Sequence, residues 1–213
     1  MRELLDTANF NWAYSELFQN YDREQIESYL TEAIDISECE GITVHYAETH
    51  DNLRLASRSL TWAKMRTALC ALCSHQGGFG FANGVEWFAA EKIDVHESPS
   101  LNWNAGQNQV KHIQRLTTIL KVHPAFHDQG RIRLVEHKPG NTLLLHRQHS
   151  ATLKQLLIAA NLDDENANDV VWQASEAVLS GKAWSDLISD REIHPIKDGD
   201  TCRLTLDAGE VLC

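Results

Sequence analysis

The chain has 213 residues and a formal net charge of −11, with 43% hydrophobic and 23% charged residues. This composition is ordinary for a globular protein and excludes long disordered stretches. No apolar run approaches the roughly 18 to 20 residues that cross a bilayer, and the acidic start lacks the apolar segment of a signal peptide. No basic stripe is present either, so we expect neither a membrane nor a nucleic-acid partner. An acidic surface of this kind suits neutral substrates.

The five cysteines are odd in number and scattered along the chain, which does not indicate a disulfide framework. Cys70 and Cys73 have the spacing of a redox or metal pair, but they lie inside an apolar helical pattern without a second pair. We therefore predict that they pack in the core, and reduced thiols point to the cytoplasm. The histidines have no ligand spacing with acidic partners, so we predict no metal site and no cofactor.

The first half alternates between strand and helix patterns. Residues 4–12 resemble a short buried strand, and apolar residues from Leu17 to Ala33 recur at helical spacing, with Ser15 as the expected N-cap. A β-type run, GITVHYAET, covers residues 41–49. We therefore expect the chain to open with two strands that flank a helix.

Two more helices are expected before residue 130. The first is predicted from Trp62, Met65, Leu69 and Leu72, between Ser59 and the pair of glycines at 77–78. Residues 78–88 are rich in glycine and aromatic residues and could form another buried strand. The second helix is predicted over residues 110–120, and it closes before Pro124.

The second half has a different character, because it contains short β-type runs and no convincing helix pattern. These runs cover residues 131–136, 142–147, 156–162, 169–174, 201–206 and 210–213. Their length and spacing favour an antiparallel sandwich. The predicted fold class is thus α/β followed by all-β, with the boundary between residues 124 and 130.

The segment that carries chemistry is VHYAETHDN, residues 44–52. A strand that begins apolar ends in Glu48, His50 and Asp51, and polar side chains at the carboxyl ends of βα-barrel strands form active sites. There a carboxylate can stabilise positive charge on a sugar ring, and an imidazole can donate to a sugar hydroxyl. The alternative is a strand end that meets water, with His50 and Asp51 as solvated turn residues.

The order of these phrases resembles the C-terminal part of the alpha-amylase superfamily of glycoside hydrolases. Strand seven of that family ends in His-Asp, which matches His50 and Asp51, and strand eight carries a glycine-aromatic phrase like residues 78–86. Residues 5–11 resemble its sixth strand, and residues 156–164 and 201–213 resemble strands of its C-terminal sandwich. The resemblance implies that residues 1–128 are the last three βα units of a (β/α)8 barrel and residues 129–213 are the sandwich.

By this resemblance, Asp51 is the transition-state stabiliser, and the substrate is an α-glucan or maltooligosaccharide. The candidate substrate-binding residues are His50, Glu48, Asn52, Glu86 and Trp87. For Glu48, Glu86 and Trp87 a structural role is the alternative, and Arg54 is a candidate ion-pair partner of Asp51 or Glu86. The family's nucleophile and acid/base carboxylates belong to strands four and five, which precede the matched phrases, so we expect this chain alone to be inactive.

Three functional hypotheses follow from this sequence. The chain is part of an α-glucan-active hydrolase or transglycosylase, a non-catalytic module that contacts glucan, or a fragment that completes its barrel with another chain. Three strands of an eight-stranded barrel would leave two open edges, and open edges invite pairing. We therefore also expect the chain to self-associate.

Overall fold

The computed structural model describes residues 2–8, 10–36, 41–94, 96–97, 100–177 and 183–213. Cys39, one of the five cysteines, lies outside the described residues. The first part of the chain is an α/β region with a three-stranded parallel sheet in the order β1-β2-β3. Its elements are α1 (Arg2–Asp6), β1 (Trp12–Tyr14), α2 (Arg23–Ile36), β2 (Ile42–Tyr46), α3 (Leu60–Leu72), β3 (Phe79–Gly80) and α4 (Val110–Val122).

The second part is built from antiparallel strands, as the sequence predicted. A four-stranded sheet has the order β12-β6-β5-β4, a three-stranded sheet has the order β10-β11-β7, and a small hairpin pairs β8 with β9. The strands are β4 (Gly130–Leu134), β5 (Thr142–His149), β6 (Gln155–Asn161), β7 (Asn168–Gln173), β8 (Trp184–Ser185), β9 (Glu192–Ile193), β10 (Ile196–Asp198), β11 (Thr201–Leu206) and β12 (Val211–Leu212). The mixed α/β and antiparallel class is confirmed.

The central four-stranded sheet is covered on both faces. Along β5, Leu143 and Leu145 belong to the core shared with the helices, whereas Leu144 between them packs toward the second sheet. In β6, Leu156 and Ile158 likewise face the helices. Successive side chains of a strand point to opposite faces, so a sheet buried on both faces needs a continuous apolar run. This explains why TLLLHR and LLIAAN lack the polar alternation of a half-exposed strand.

One arginine ties the α/β region to this sheet. Arg147 of β5 is 1% exposed and donates to the carbonyl oxygens of Leu72 (3.0 Å) and Ser74 (2.7 Å) at the end of α3. It also donates to the carbonyl oxygen of Ala125 and lies over the ring of Phe126. Four charge-assisted contacts satisfy a guanidinium that has no carboxylate partner among the described residues, and burial lowers its pKa to about 10.

The helix after β1 begins later than the sequence analysis predicted. Ser15 does not cap a long helix; its Oγ accepts from the backbone N–H of Leu17, which opens only a short 3₁₀ turn. Asp22 caps α2 instead, accepting from the backbone N–H of Gln25 at 2.9 Å. The Gln25 side chain accepts in return from the backbone N–H groups of Tyr21 and Asp22. This reciprocal pair is a capping box, Asp-x-x-Gln, and it restarts the helix at Arg23.

Two predicted strands also differ from the structure. Residues 4–8 and 10–11 do not form a strand: α1 covers Arg2–Asp6, a segment of helix-favouring residue types, and pairing begins only at Trp12. Strand β3 is limited to Phe79–Gly80, because Gly84 adopts a φ of 95° and starts a 3₁₀ turn over Val85–Trp87. By contrast, α3 begins where predicted, with the Ser59 hydroxyl accepting from the N–H of Trp62.

Candidate functional site

The carboxyl ends of the parallel strands bring two of the predicted site segments to one edge of the sheet. Strand β2 pairs in parallel with β3, with His45 opposite Phe79 and Tyr46 opposite Gly80. Both strands therefore end level with each other. The loop after β2 carries Glu48, His50 and Asp51, and the turn after β3 carries Glu86. The predicted strand within residues 41–49 therefore runs parallel to the strand that begins the glycine-aromatic segment.

His50 and Asp51 lie in an exposed turn. Their side chains are 59% and 80% exposed, and His50 Nε2 lies 3.4 Å from Asp51 Oδ1. Together with Lys92, Ile93 and Asp94 they line an open depression of about 450 Å³. The carboxylate is thus available to a ligand, but nothing in the described chain desolvates it.

Glu48 is placed differently from the two residues that follow it. It is 2% exposed, its Oε1 lies 2.7 Å from Arg54 Nε, and its Oε2 accepts from the backbone N–H of Leu55 at 2.7 Å. Burial raises the pKa of this carboxyl group, while the Leu55 N–H and the Arg54 guanidinium act in the opposite direction. Arg54 pairs with Glu48 rather than with Asp51 or Glu86, the two partners that we had predicted.

Arg54 connects the two loops at this edge. Its Nη2 donates to the carbonyl oxygen of Asn83 at 2.8 Å, so one guanidinium holds both the loop after β2 and the turn after β3. A Cβ atom at Gly84 would lie 2.6 Å from this Nη2. Gly84 is therefore required both by its backbone conformation and by the arginine against it. Glu86 accepts from the Gly84 N–H at 2.9 Å, and its charge further raises the pKa of Glu48.

The remaining predicted residues stabilise the loops in this structure. Asn52 accepts from the Thr49 hydroxyl at 2.6 Å, which closes the His50–Asp51 turn. The backbone carbonyl of Trp87 accepts from the Asn102 amide, and its ring lies 6.1 Å from that of Trp103. Trp103 is 60% exposed and was not among our candidate residues. An indole in an uncharged, amide-rich segment was the signal that could have identified it.

Several other chemical groups are buried in the core. Cys70 and Cys73 lie within the core around α3, and burial raises the pKa of the Cys70 thiol to about 11, as expected for packed rather than reactive thiols. Within the described part of the chain, no group of three or more histidine, cysteine or acidic residues could hold a metal ion. Among the same residues, no helix is both long and apolar enough to cross a membrane.

The fold of this chain is similar to that of several solved structures. No protein-family model matches the sequence, and no curated protein is significantly similar to it. The structure is similar to a maltogenic alpha-amylase, AmyB, from Thermotoga neapolitana, with a TM-score of 0.79 and 14% identity over 100% of this chain and 52% of that one. It is also similar to an alpha-amylase from Lactobacillus plantarum (TM-score 0.65, 16% identity, 97% and 47% coverage) and to the trehalulose synthase MutB (0.65, 13%, 99% and 53%).

These comparisons establish a shared fold. The predicted resemblance to the alpha-amylase superfamily is confirmed at that level, over the full length of this chain and about half of each related structure. At 13 to 16% identity the likeness concerns the fold and not the activity. Function has to be argued from the site.

Proposed function

We propose that this chain is the C-terminal part of an alpha-amylase-type glycoside hydrolase or transglycosylase that acts on α-glucans. The parallel sheet of residues 1–128 is then the last section of a (β/α)8 barrel, and residues 129–213 are the C-terminal sandwich. The observation that carries the proposal is the exposed His50–Asp51 pair at the carboxyl end of the central parallel strand. Catalytic groups of such barrels come from this end of the strands.

In this proposal Asp51 stabilises the positively charged transition state, and His50 binds a sugar hydroxyl. A carboxylate beside the ring lowers the barrier by electrostatic stabilisation only in a site that excludes water. Asp51 is exposed in this chain. In the proposal, the rest of the barrel covers Asp51 and excludes water from it. The buried ion pair between Glu48 and Arg54 holds the loop in place, and the side chain of Asn52 closes its turn with a hydrogen bond.

The bond-breaking groups come from outside the matched segments. A retaining mechanism needs a nucleophile and an acid/base carboxylate about 5 Å apart. The proposal assigns both to the preceding part of the barrel, in a longer polypeptide or in a partner chain. We therefore expect no starch hydrolysis by the 213-residue chain alone. Measurable turnover that Asp51→Asn abolishes would contradict this assignment of roles.

A partner-binding role is the second candidate, and one observation favours it. Trp12 and Tyr14 of β1 are 48% and 56% exposed, and the outer edge of β1 has no neighbouring strand among the described residues. An aromatic strand edge of this kind is suited to pair with another strand. In this case the chain completes a barrel with a separate polypeptide and contributes no chemistry of its own.

A chimeric enzyme tests the proposal. The half of the Thermotoga neapolitana amylase that this chain does not match would be fused in front of it, and maltoheptaose hydrolysis would be measured. We expect turnover that falls at least about 100-fold with Asp51→Asn, because a charge stabiliser is lost. Asp198→Asn, on the exposed strand β10, is the matched control and should have no effect.

A folded chimera without turnover, or with turnover indifferent to Asp51→Asn, would overturn the proposal. Circular dichroism and gel filtration establish folding. If the chimera does not fold, maltoheptaose binding to the 213-residue chain tests the proposed function instead. Asp51→Ala and His50→Ala should weaken this binding about threefold or more, since each removes hydrogen bonds to the sugar.

A further inference from the structure

The segment between Trp87 and α4 presents a tryptophan to solvent. Trp103 is 60% exposed, although an indole is among the side chains that gain most from burial. Its ring lies 6.1 Å from the half-buried ring of Trp87, with an angle of 54° between the planes. The two indoles therefore contact each other, and more than half of the Trp103 surface stays exposed.

The backbone around Trp103 is held in place. Asn102 and Asn104 on either side have left-handed φ angles of 56° and 62°, which non-glycine residues seldom adopt. The Asn102 amide donates to the carbonyl oxygen of Trp87 at 2.7 Å. Gln109 then fixes the end of the segment, its backbone N–H donating to the carbonyl oxygen of Glu86 and its side chain to that of Val85, both at 2.9 Å. Asparagine is among the non-glycine residues that most often adopt this conformation, so the two flanking residues fix the turn that carries Trp103.

The polar side chains next to this indole in the sequence are uncharged, and the segment is bound by the carboxylate of Glu91, which accepts from the backbone N–H of Ser100 at 3.1 Å. Residues 100–110 contain no charged side chain. The Asn108 amide donates to the carbonyl oxygen of Ala105, but Asn104 and Gln107 are exposed and their amides form no hydrogen bond with the described residues. An amide offers a donor pair and an acceptor side by side, which matches neighbouring hydroxyl groups. The ligand that suits such a surface is neutral and rich in hydroxyls.

We propose that Trp103, with Asn104 and Gln107, forms a stacking platform for an α-linked gluco-oligosaccharide. The indole face contacts the apolar C–H face of a glucose unit, and the two amides bind its hydroxyls. The segment between Trp87 and α4 also supplies Lys92 and Asp94 to the depression at His50 and Asp51. The α-linkage rests on the proposed function, whereas the platform itself rests on the exposed indole and the amides.

Binding of defined oligosaccharides to the 213-residue chain tests this proposal. Maltoheptaose and the β-linked cellohexaose would be titrated by calorimetry and by tryptophan fluorescence. Trp103→Ala should weaken maltoheptaose binding at least about tenfold, because the stacked ring contributes on the order of 1.4 kcal/mol. Asn104→Ala and Gln107→Ala should each weaken it about threefold. Ile196→Ala, which removes an exposed apolar side chain on β10, is the control and should bind as the parent does.

Each outcome decides the proposal. Unchanged maltoheptaose affinity in Trp103→Ala would overturn the platform, and so would a parent chain that binds neither sugar. The chimera's turnover and its dependence on Asp51 would still decide the proposed function separately. Binding of cellohexaose alone, lost in Trp103→Ala, would overturn the α-linked ligand and count against an α-glucan activity.

Discussion

At the scale of single residues, the loop after β2 separates two kinds of acidic side chain. Asp51 is exposed, whereas Glu48, three positions earlier, forms an ion pair with Arg54 in which both side chains are at most 2% exposed. A buried carboxylate is stable only with a cation and hydrogen-bond donors beside it. Glu48 therefore stabilises the loop, whereas Asp51 is accessible to a ligand.

Removing the cation of this pair should destabilise the fold strongly. We expect Arg54→Met to lower the free energy of unfolding by about 3–5 kcal/mol, because it leaves the Glu48 carboxylate buried without compensation. Urea denaturation measures this loss. Arg203→Met, in an exposed pair with Asp169, should cost no more than about 1 kcal/mol. Equal costs for the two variants would contradict the importance of the buried pair.

The buried imidazole of His45 predicts a pH dependence of stability. His45 is 2% exposed and interacts with the Ser15 hydroxyl, and burial lowers its pKa from 6.5 to about 4. The unfolded chain takes up a proton below pH 6.5 while the folded chain does not. Stability is therefore lost as the pH falls from 6.5 to 4, by up to about 3 kcal/mol.

Urea denaturation across this pH range provides the test. Replacing His45 with Gln should reduce the loss of stability with falling pH, because a glutamine side chain does not titrate in either state. His194→Gln removes an exposed imidazole and should keep the slope of the parent. The same slope in His45→Gln as in the parent would show that His45 is not the responsible group. His112, His123 and His146, whose pKa values burial also lowers, would contribute to a residual slope.

At the scale of elements, the capping box decides where α2 begins. Asp22→Ala removes the acceptor for the Gln25 N–H and should lower stability by about 1 kcal/mol. Asp22→Asn keeps a side-chain oxygen in the same place and should lose much less. Thermal or urea unfolding of the two variants gives the comparison. If Asp22→Ala and Asp22→Asn unfold alike, the side-chain cap does not set the start of the helix.

At the scale of the whole molecule, the parallel sheet ends in an exposed aromatic strand. Trp12 and Tyr14 pack edge to face, and Tyr14 contacts Tyr46 of the neighbouring strand. We expect the chain to self-associate through this edge when it is made alone, because apolar surface and unpaired backbone groups coincide there. In sedimentation experiments, Trp12→Lys should shift the distribution toward monomer.

A control variant distinguishes association through this edge from nonspecific association through exposed apolar side chains. Leu153→Lys removes an apolar side chain that is 66% exposed in the turn before β6, and it should leave the distribution unchanged. A sharp monomer at all concentrations of the parent chain would rule out the association. A second possibility, dissociation by both lysine variants, would place the contact elsewhere.

Local sequence determined most of the elements. Ser59 predicted where α3 begins, although the helix ends at Leu72 and not at the glycines at 77–78. The apolar runs of the second half predicted β4, β5, β6, β7, β11 and β12. These signals are local, because a cap or an apolar stripe lies within a few residues of its effect. The start of α2 was missed although its signal, Asp22 with Gln25, was equally local. The short strands β8, β9 and β10 carry too few residues for a pattern.

Only the tertiary structure decided which polar residues are accessible. Glu48 and Asp51 are both acidic and close in sequence, yet the position of Arg54 buries one and leaves the other in water. The exposure of Trp103 likewise depends on how Asn102 and Gln109 fasten its segment to the turn after β3. Burial and charge pairing are sums over neighbours from distant parts of the chain, so spacing along the sequence does not contain them.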